Sequence, residues 1–357
     1  MSGVPISVIR GGSSKGLFFL QSDLPNDVQE RNAVLLGIMG SPDPRQIDGL
    51  GGAHPLTSKV AIVSPSERPD IDVEYLFLQL GIENDLVSDR QNCGNLLAGV
   101  GPFAVESGLV PAPAAAEAMT IRILMRNTNS VATARFTITN GTPVYEGATA
   151  ISGVPGTASP IFLEFDDLAG GSCGALLPTG NIIDDIDNIA CTLIDNGMPV
   201  VVMRASDFGL TGSESPAELE ANLELRKRLE SIRLQAGELM HLGDVTDTTV
   251  PKLTLVSPPT SDGNLTTRTF IPHRCHEAIG VLGAVSVATA ALLPGSTADQ
   301  VSLDPIGDEI RLEHPTGHFD AVVETQTTTG RLPEVKRAGI VRTARKLMDG
   351  TAYPRLR

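Results

Sequence analysis

A cysteine in the run Gln91-Asn-Cys93-Gly-Asn95 stands just before a segment, 95–106, that is apolar around nearly its whole circumference. A helix hydrophobic on all sides has to be buried on all sides, so Cys93 is expected at the start of an interior helix. Unbonded N–H groups and the helix dipole favour an anion there, either a thiolate or a bound carboxylate. Thiol pKa values fall at such positions; an inert buried Cys is the plainer reading. Lys59 is the second candidate. The chain has six Lys, and this one enters an apolar run, Leu56-Thr-Ser-Lys59-Val-Ala-Ile-Val63. An ammonium withdrawn from water gives up its proton more readily, which suits an amine to proton transfer near neutrality. A Lys that only reaches along apolar surface to solvent is the alternative. A thiol and an amine, with no metal or nucleotide motif, fit proton abstraction beside a carbonyl or carboxylate through an enolate-like intermediate.

Other motifs are weaker. Gly12-Ser-Ser-Lys-Gly16 formally fits a nucleophile elbow, but that device sits at a strand-to-helix turn, and here strand-like residues lie on both sides. Its glycine spacing does not make a phosphate-binding P-loop. A turn that touches substrate and a structural hairpin both remain open. In His273-Arg-Cys-His276 the three possible ligands His273, Cys275 and His276 lack a fourth at any familiar zinc spacing, so no metal is expected, and a His and Arg facing substrate ahead of a buried helix is the favoured reading. Cys173 and Cys191 read as packing residues.

The elements that must position these residues are short. Residues 5–20 read as a strand, a Gly-rich turn and a strand, and a helix follows at about 26–39. Aliphatic or β-branched runs bounded by Gly, Pro, Asn or Asp recur at 59–63, 72–80, 120–125, 131–139, 160–165, 199–204, 252–256, 266–271, 309–313 and 320–325. This predicts an antiparallel α+β fold. Ser215-Pro-Ala-Glu218 forms a capping box, opening a surface helix to Ala236. A second wholly apolar helix is expected at about 278–293, the first at about 94–107. Two such helices among many strands point to two similarly built lobes, 1–184 and 185–357, joined through a linker at 178–187. A return of the C-terminal end to the first lobe is left open.

Charge narrows the function. Lys plus Arg number 27 against 42 Asp plus Glu, a net charge of −15, and no basic run interrupts it. Such a surface repels nucleic acid and anionic membranes. Aromatic residues are 4% and Trp is absent, which removes base-stacking platforms. The N-terminus lacks signal-peptide features, and the longest apolar stretch falls short of the ~20 residues of a membrane span. Four scattered Cys suit a reducing compartment, so the expected location is cytoplasmic.

Several motifs carry a family resemblance. Arg10-Gly-Gly-Ser-Ser-Lys-Gly16, Asp48-Gly-Leu-Gly-Gly52, Thr57-Ser-Lys59, Asn92-Cys-Gly-Asn95 with Val100-Gly-Pro-Phe103, and Leu177-Pro-Thr-Gly-Asn181 occur in order along the chain. Together they resemble the PrpF family, which covers 2-methylaconitate cis-trans isomerases and 4-oxalomesaconate tautomerases. Ser172-Cys-Gly-Ala-Leu, Ile194-Asp-Asn-Gly-Met-Pro199 and Pro272-His-Arg-Cys-His276 look closest to the oxalomesaconate branch. The resemblance implies a diaminopimelate-epimerase-like fold: two lobes, each an antiparallel β-barrel around a central helix, with the active site in the cleft between them. It further implies a homodimer without cofactor, in which Cys93 and Lys59 relay protons on a small tricarboxylate. Diaminopimelate epimerase uses one Cys from each lobe, and no Cys stands at 280–286 here. Lys59 is therefore the expected second acid/base. Methylaconitate isomerisation is the alternative within the family, and a non-catalytic carboxylate-binding protein the alternative outside it; retention of both Cys93 and Lys59 argues against the latter.

An acidic protein has to bind a trianion with local donors. The expected clamp is Ser14, Lys15, Ser58, Gly94 and Asn95 from the first lobe, with Arg268, Arg274, His276, Gly283 and Ser286 from the second. Helix-start N–H groups and bidentate Arg carry most of that expectation.

Overall fold

Short apolar runs punctuated by turn residues become strands along most of the chain. The computed structural model describes residues 3–89, 92–166, 168–305, 309–326 and 334–355. Two compact units divide it: Met1–Glu164 with Val341–Arg357, and Phe165–Ile340. The first carries β1 (Val4–Gly11), β2 (Ser14–Leu20), α1 (Val28–Met39), β3 (Lys59–Pro65), β4 (Val73–Leu80), β5 (Val87–Ser88) and α2 (Gly94–Glu106). After these come β6 (Ala118–Met125), β7 (Ser130–Thr139), β8 (Thr142–Pro143) and β9 (Pro160–Phe165), which reaches the boundary. The second carries β10 (Asp184–Ile186), β11 (Ile189–Asp195), β12 (Pro199–Arg204), α3 (Pro216–Ala221), α4 (Leu223–Leu239), β13 (Lys252–Ser257) and β14 (Leu265–Ile271). Next are β15 (Arg274–Cys275), α5 (Val281–Ala291), β16 (Glu309–His314), β17 (Gly317–Gln326) and β18 (Glu334–Ala352), whose chain runs on into the first unit.

In the first unit β1–β2, β3–β4 and β6–β7 pair antiparallel, while β2–β3 and β4–β6 pair parallel. Pairings of β7 with β9, β9 with β18 and β18 with β1 complete a ring. Parallel neighbours need a crossover. The first runs through α1, whose N-cap Asp27 accepts the Gln29 and Glu30 N–H groups. The second runs through α2, which packs against β1, β2, β3, β4, β6 and β7 and buries every residue from Leu96 to Val105. Its Gly99 lets Phe18 close on the helix: a Cβ there would stand 2.7 Å from the Phe18 ring.

The second unit repeats the order. Antiparallel β11–β12, β13–β14 and β16–β17 alternate with parallel β12–β13 and β14–β16. Here α3 and α4 fill the first crossover and α5 the second. The apolar faces of α4 and the strands share one core, including Leu225, Leu229, Ile232, Leu253 and Phe270.

Several expectations change. The sheets are mixed, not antiparallel, because each helix carries the chain back to start a strand in the same direction as the last. The change of unit falls at Glu164/Phe165, not 184/185, and 178–187 is no linker. Thr179 and Asn181 bond Asp184, which opens a strand of the second unit. The expected helix to Ala236 breaks at Asn222, whose side chain accepts the Leu225 N–H and caps α4. The second buried helix starts at Val281 behind Gly280, three residues later than expected. Among the described residues no helix is long and apolar enough to cross a membrane.

Candidate active site

Side chains two apart on a strand share a face, and on β4 one face presents Tyr75, Phe77 and Gln79. Lys59 pairs with Gln79 across β3 and β4. Its Nζ donates to Gln79 Oε1 at 2.7 Å and lies 5.0 Å from the centre of the Phe77 ring, and the residue is 7% exposed. The Gln79 amide is itself fixed, since Nε2 donates to the carbonyls of Ser58 (3.0 Å) and Pro55 (3.2 Å). The amine therefore meets a neutral acceptor held in one orientation.

Cys93 is the N-cap of α2, a free thiol with no side-chain capping bond. Its carbonyl accepts the Leu97 N–H at 3.0 Å and the Tyr75 hydroxyl at 3.4 Å. Burial, then the nearby Cys93, holds the Tyr75 phenol well above its usual pKa, so Tyr75 stays a neutral donor. Lys59 and Cys93 thus contact neighbouring side chains of the same β4 face. The N–H groups of Gly94, Asn95 and Leu96 precede the first intrahelical bond. Gln91, at the head of the motif, lies outside the described residues.

The Gly-rich turn between β1 and β2 lies against this helix start. A Cβ on Gly11 would stand 2.4 Å from the Asn95 carbonyl oxygen, and one on Gly12, at φ +52°, would stand 2.2 Å from Asn95 Oδ1. Only glycine permits that approach. Asn95 Nδ2 donates to Ser13 Oγ at 3.2 Å. Ser14 is buried and its Oγ has no partner among the described residues; Asn92 Oδ1, beside Cys93, is likewise buried and unmatched among them. Lys15 is half-buried on the same hairpin, opposite Arg10. Ser58, expected on substrate, is fully buried with its hydroxyl 3.0 Å from Gln46 Oε1 and 2.9 Å from the His54 carbonyl. It braces the loop ahead of Lys59.

The second-unit candidates scatter. Arg268 is buried, donating to the carbonyls of Glu214 (2.7 Å) and Thr267 (2.9 Å), and burial lowers its pKa. Arg274 holds its side chain 84% exposed, 3.5 Å from Glu220 Oε1. His276 Nδ1 accepts the Ala278 N–H at 2.8 Å, and burial lowers the ring's pKa, so the neutral ring carries its proton on Nε2. Ser286 is fully buried in the second turn of α5: it donates to the Met198 carbonyl at 2.7 Å and accepts the Asn196 N–H at 3.1 Å. Gly283 and the N-cap Gly280 leave open space, since a Cβ at either would meet nothing within 4 Å. Among the described residues no three His, Cys, Asp or Glu side chains converge as a metal site. Burial pushes the Cys173 and Cys191 thiols up to about 12, consistent with packing. Sequence reasoning missed Gln79, Tyr75 and Phe77; a Gln in register with Tyr and Phe on an apolar strand was the available signal.

A family model described as PrpF protein matches residues 1–355. The chain belongs to the PrpF family. It is 55% identical over 355 residues to a (4E)-oxalomesaconate Delta-isomerase of Novosphingobium sp. (strain KA1), covering 99% of this chain and 98% of that one. It is 51% identical to a 4-oxalomesaconate tautomerase of Pseudomonas putida, covering 97% and 95%. The crystal structure of a methylitaconate-delta-isomerase superposes with a TM-score of 0.88 at 34% identity, covering 99% and 96%. This PrpF protein shares their fold and is an isomerase.

Proposed function

We propose that this protein moves a double bond of 4-oxalomesaconate by a 1,3-proton transfer. Cys93, as thiolate, takes a proton from one carbon of the conjugated system, and the electron pair delocalises into a dienolate. Lys59 delivers a proton two carbons away, and the double bond closes in its new position. The observation that carries this reading is that Lys59 Nζ on the Gln79 amide oxygen and Cys93, through its carbonyl on the Tyr75 hydroxyl, meet the same face of β4.

The start of α2 and the unmatched Ser14 hydroxyl suit a substrate carboxylate. From the second unit, His276 Nε2–H and the open start of α5 are the donors this reading retains. Two epimerase-like lobes that hold the substrate between them, in a cofactor-free homodimer, belong to the same proposal.

The test is turnover of 4-oxalomesaconate and, separately, 2-methylaconitate in D2O. Turnover of the first is expected, with deuterium entering at two carbons. Activity confined to the second would overturn the substrate. Lys59→Met and Cys93→Ser should each lose exchange at a different carbon, and normal exchange at both carbons in either variant would overturn the assignment.

A further inference from the structure

The first unit contains a small polar cavity of about 60 Å³ whose walls include Arg10, Arg345, Thr343 and the segment from Thr149 to Ala158. That segment is pinned by a bridge between Thr149 and Ala158 and turned by Gly153 and Gly156, at φ +81° and +76°. Arg10 and Arg345 stand opposite one another in the antiparallel register of β1 and β18. Like charges so placed repel, and neither guanidinium is paired with a carboxylate among the described residues.

Arg10 is half-buried, and its bonds go to neutral groups. Nη1 donates to the carbonyls of Gly12 (2.8 Å) and Thr343 (3.0 Å) and lies 3.0 Å from Thr343 Oγ1. A guanidinium has five N–H donors, and those on Nε and Nη2 have no protein partner among the described residues. Burial, then the charge of Arg345, lowers the Arg10 pKa. Glu146 lines the cavity as well. It is exposed, and one carboxylate stands against two guanidiniums.

We propose that Arg10 and Arg345 bind a small oxyanion, a carboxylate or a phosphate group, and that its presence is felt by the Gly12–Ser14 turn. The planar fork of Arg suits such an anion through parallel N–H bonds. The coupling is covalently short. The Nη1 that closes one side of the cavity holds the Gly12 carbonyl, and the next residue, Ser13, accepts from Asn95 at the start of α2. An anion that orders Arg10 therefore orders the turn against the helix that Cys93 caps. This site goes beyond the isomerase reading and stands without it.

The experiment is calorimetric titration and thermal unfolding of the full chain with inorganic phosphate and, in a second arm, malonate, against sodium chloride at matched ionic strength. Wild type is expected to bind at least one anion and to unfold at a higher temperature in its presence. Arg345→Gln, an exposed change, should weaken that affinity about tenfold while leaving basal turnover unchanged. Arg10→Lys, which keeps the charge but loses the fork, should also weaken it. Binding in the phosphate arm alone would identify the occupant as phosphate, and binding of malonate would identify a carboxylate ligand. Failure of both anions to bind, or equal affinity in Arg345→Gln and wild type, would overturn the proposal.

Discussion

The two units thread one order of pairings, and the order makes particular residues equivalent. Lys59 opens β3 and Lys252 opens β13, each as the first residue of a strand parallel to its predecessor. Cys93 caps the buried helix of the first unit and Gly280 that of the second. The surroundings then diverge. Lys59 bonds a side-chain amide, whereas Lys252 Nζ donates to the Thr249 carbonyl at 2.6 Å, and burial lowers its pKa. The hairpin turn of the second unit is tied to α5 by Ser286, and by Thr289, which accepts from Asn196 Nδ2 at 2.8 Å. In the first unit glycines bring the turn to α2, and the Ser14 hydroxyl stays unmatched. A repeated backbone therefore repeats positions but not chemistry; the chemistry depends on what caps the helix and what the lysine touches.

The comparison breaks most visibly at the amine and thiol. Lys59→Met and Cys93→Ser should each reduce turnover by at least about 100-fold, the low end of general acid–base catalysis, with unchanged circular dichroism. Next comes the turn. Gly12→Val places a branched side chain at φ +52° and against Asn95, and should lower stability by about 1–3 kcal/mol in thermal unfolding. Ser286→Ala strands the Asn196 N–H in a buried site, costing about 1–3 kcal/mol, while kcat of the folded fraction stays unchanged. Lys252→Met should cost well under tenfold in kcat/KM, less than about 1.4 kcal/mol of barrier; a loss equal to that of Lys59→Met would erase the distinction between the units.

A pH measurement sharpens the same contrast. Glu313, in the second unit, accepts from the N–H groups of Thr260, Ser261 and Gly263 and from the Thr260 and Thr266 hydroxyls. Although burial opposes ionisation, these bonds prevail and hold its carboxyl at about 2 against an ordinary 4.5. Its folded pKa is depressed, so its stabilisation is complete above 4.5 and is lost as pH falls towards and through 2. Glu313→Gln should flatten the dependence of unfolding temperature on pH across that window.

Most of the longer strands, β11 apart, and both buried helices were legible because period, apolar runs and Gly or Pro punctuation encode them locally. β18 was not. Lys336, Arg337, Arg342, Arg345 and Lys346 interrupt any alternation, and its strand character comes from pairing with β17, the strand before it, and with β1 at the other end of the chain. Parallel pairing was hidden for the same reason, since no local pattern separates a parallel neighbour from an antiparallel one. At the site, Cys93 and Lys59 stood out by residue type. Ser286 misled because the whole run from Gly280 to Ser286 was read as the helix start, whereas Ser286 lies in the second turn of α5 and spends its hydroxyl on the hairpin turn. Arg274 lies beside the buried helix in sequence, yet β15 leaves its side chain in solvent.

β18 also sets an order of assembly. Residues 344–352 supply the partner that β1 needs along Val4–Gly11. A ribosome delivers β1 through β9 of the first unit, then the whole second unit, before that partner emerges. Throughout that interval β1 is an open edge, the kind of strand that recruits foreign chains. Pro5, which has no N–H to offer, interrupts its row of donors. The unit that holds Lys59 and Cys93 is thus the first begun and the last completed, and a nascent chain stalled before residue 344 exposes that half of the molecule to chaperones and aggregation alike.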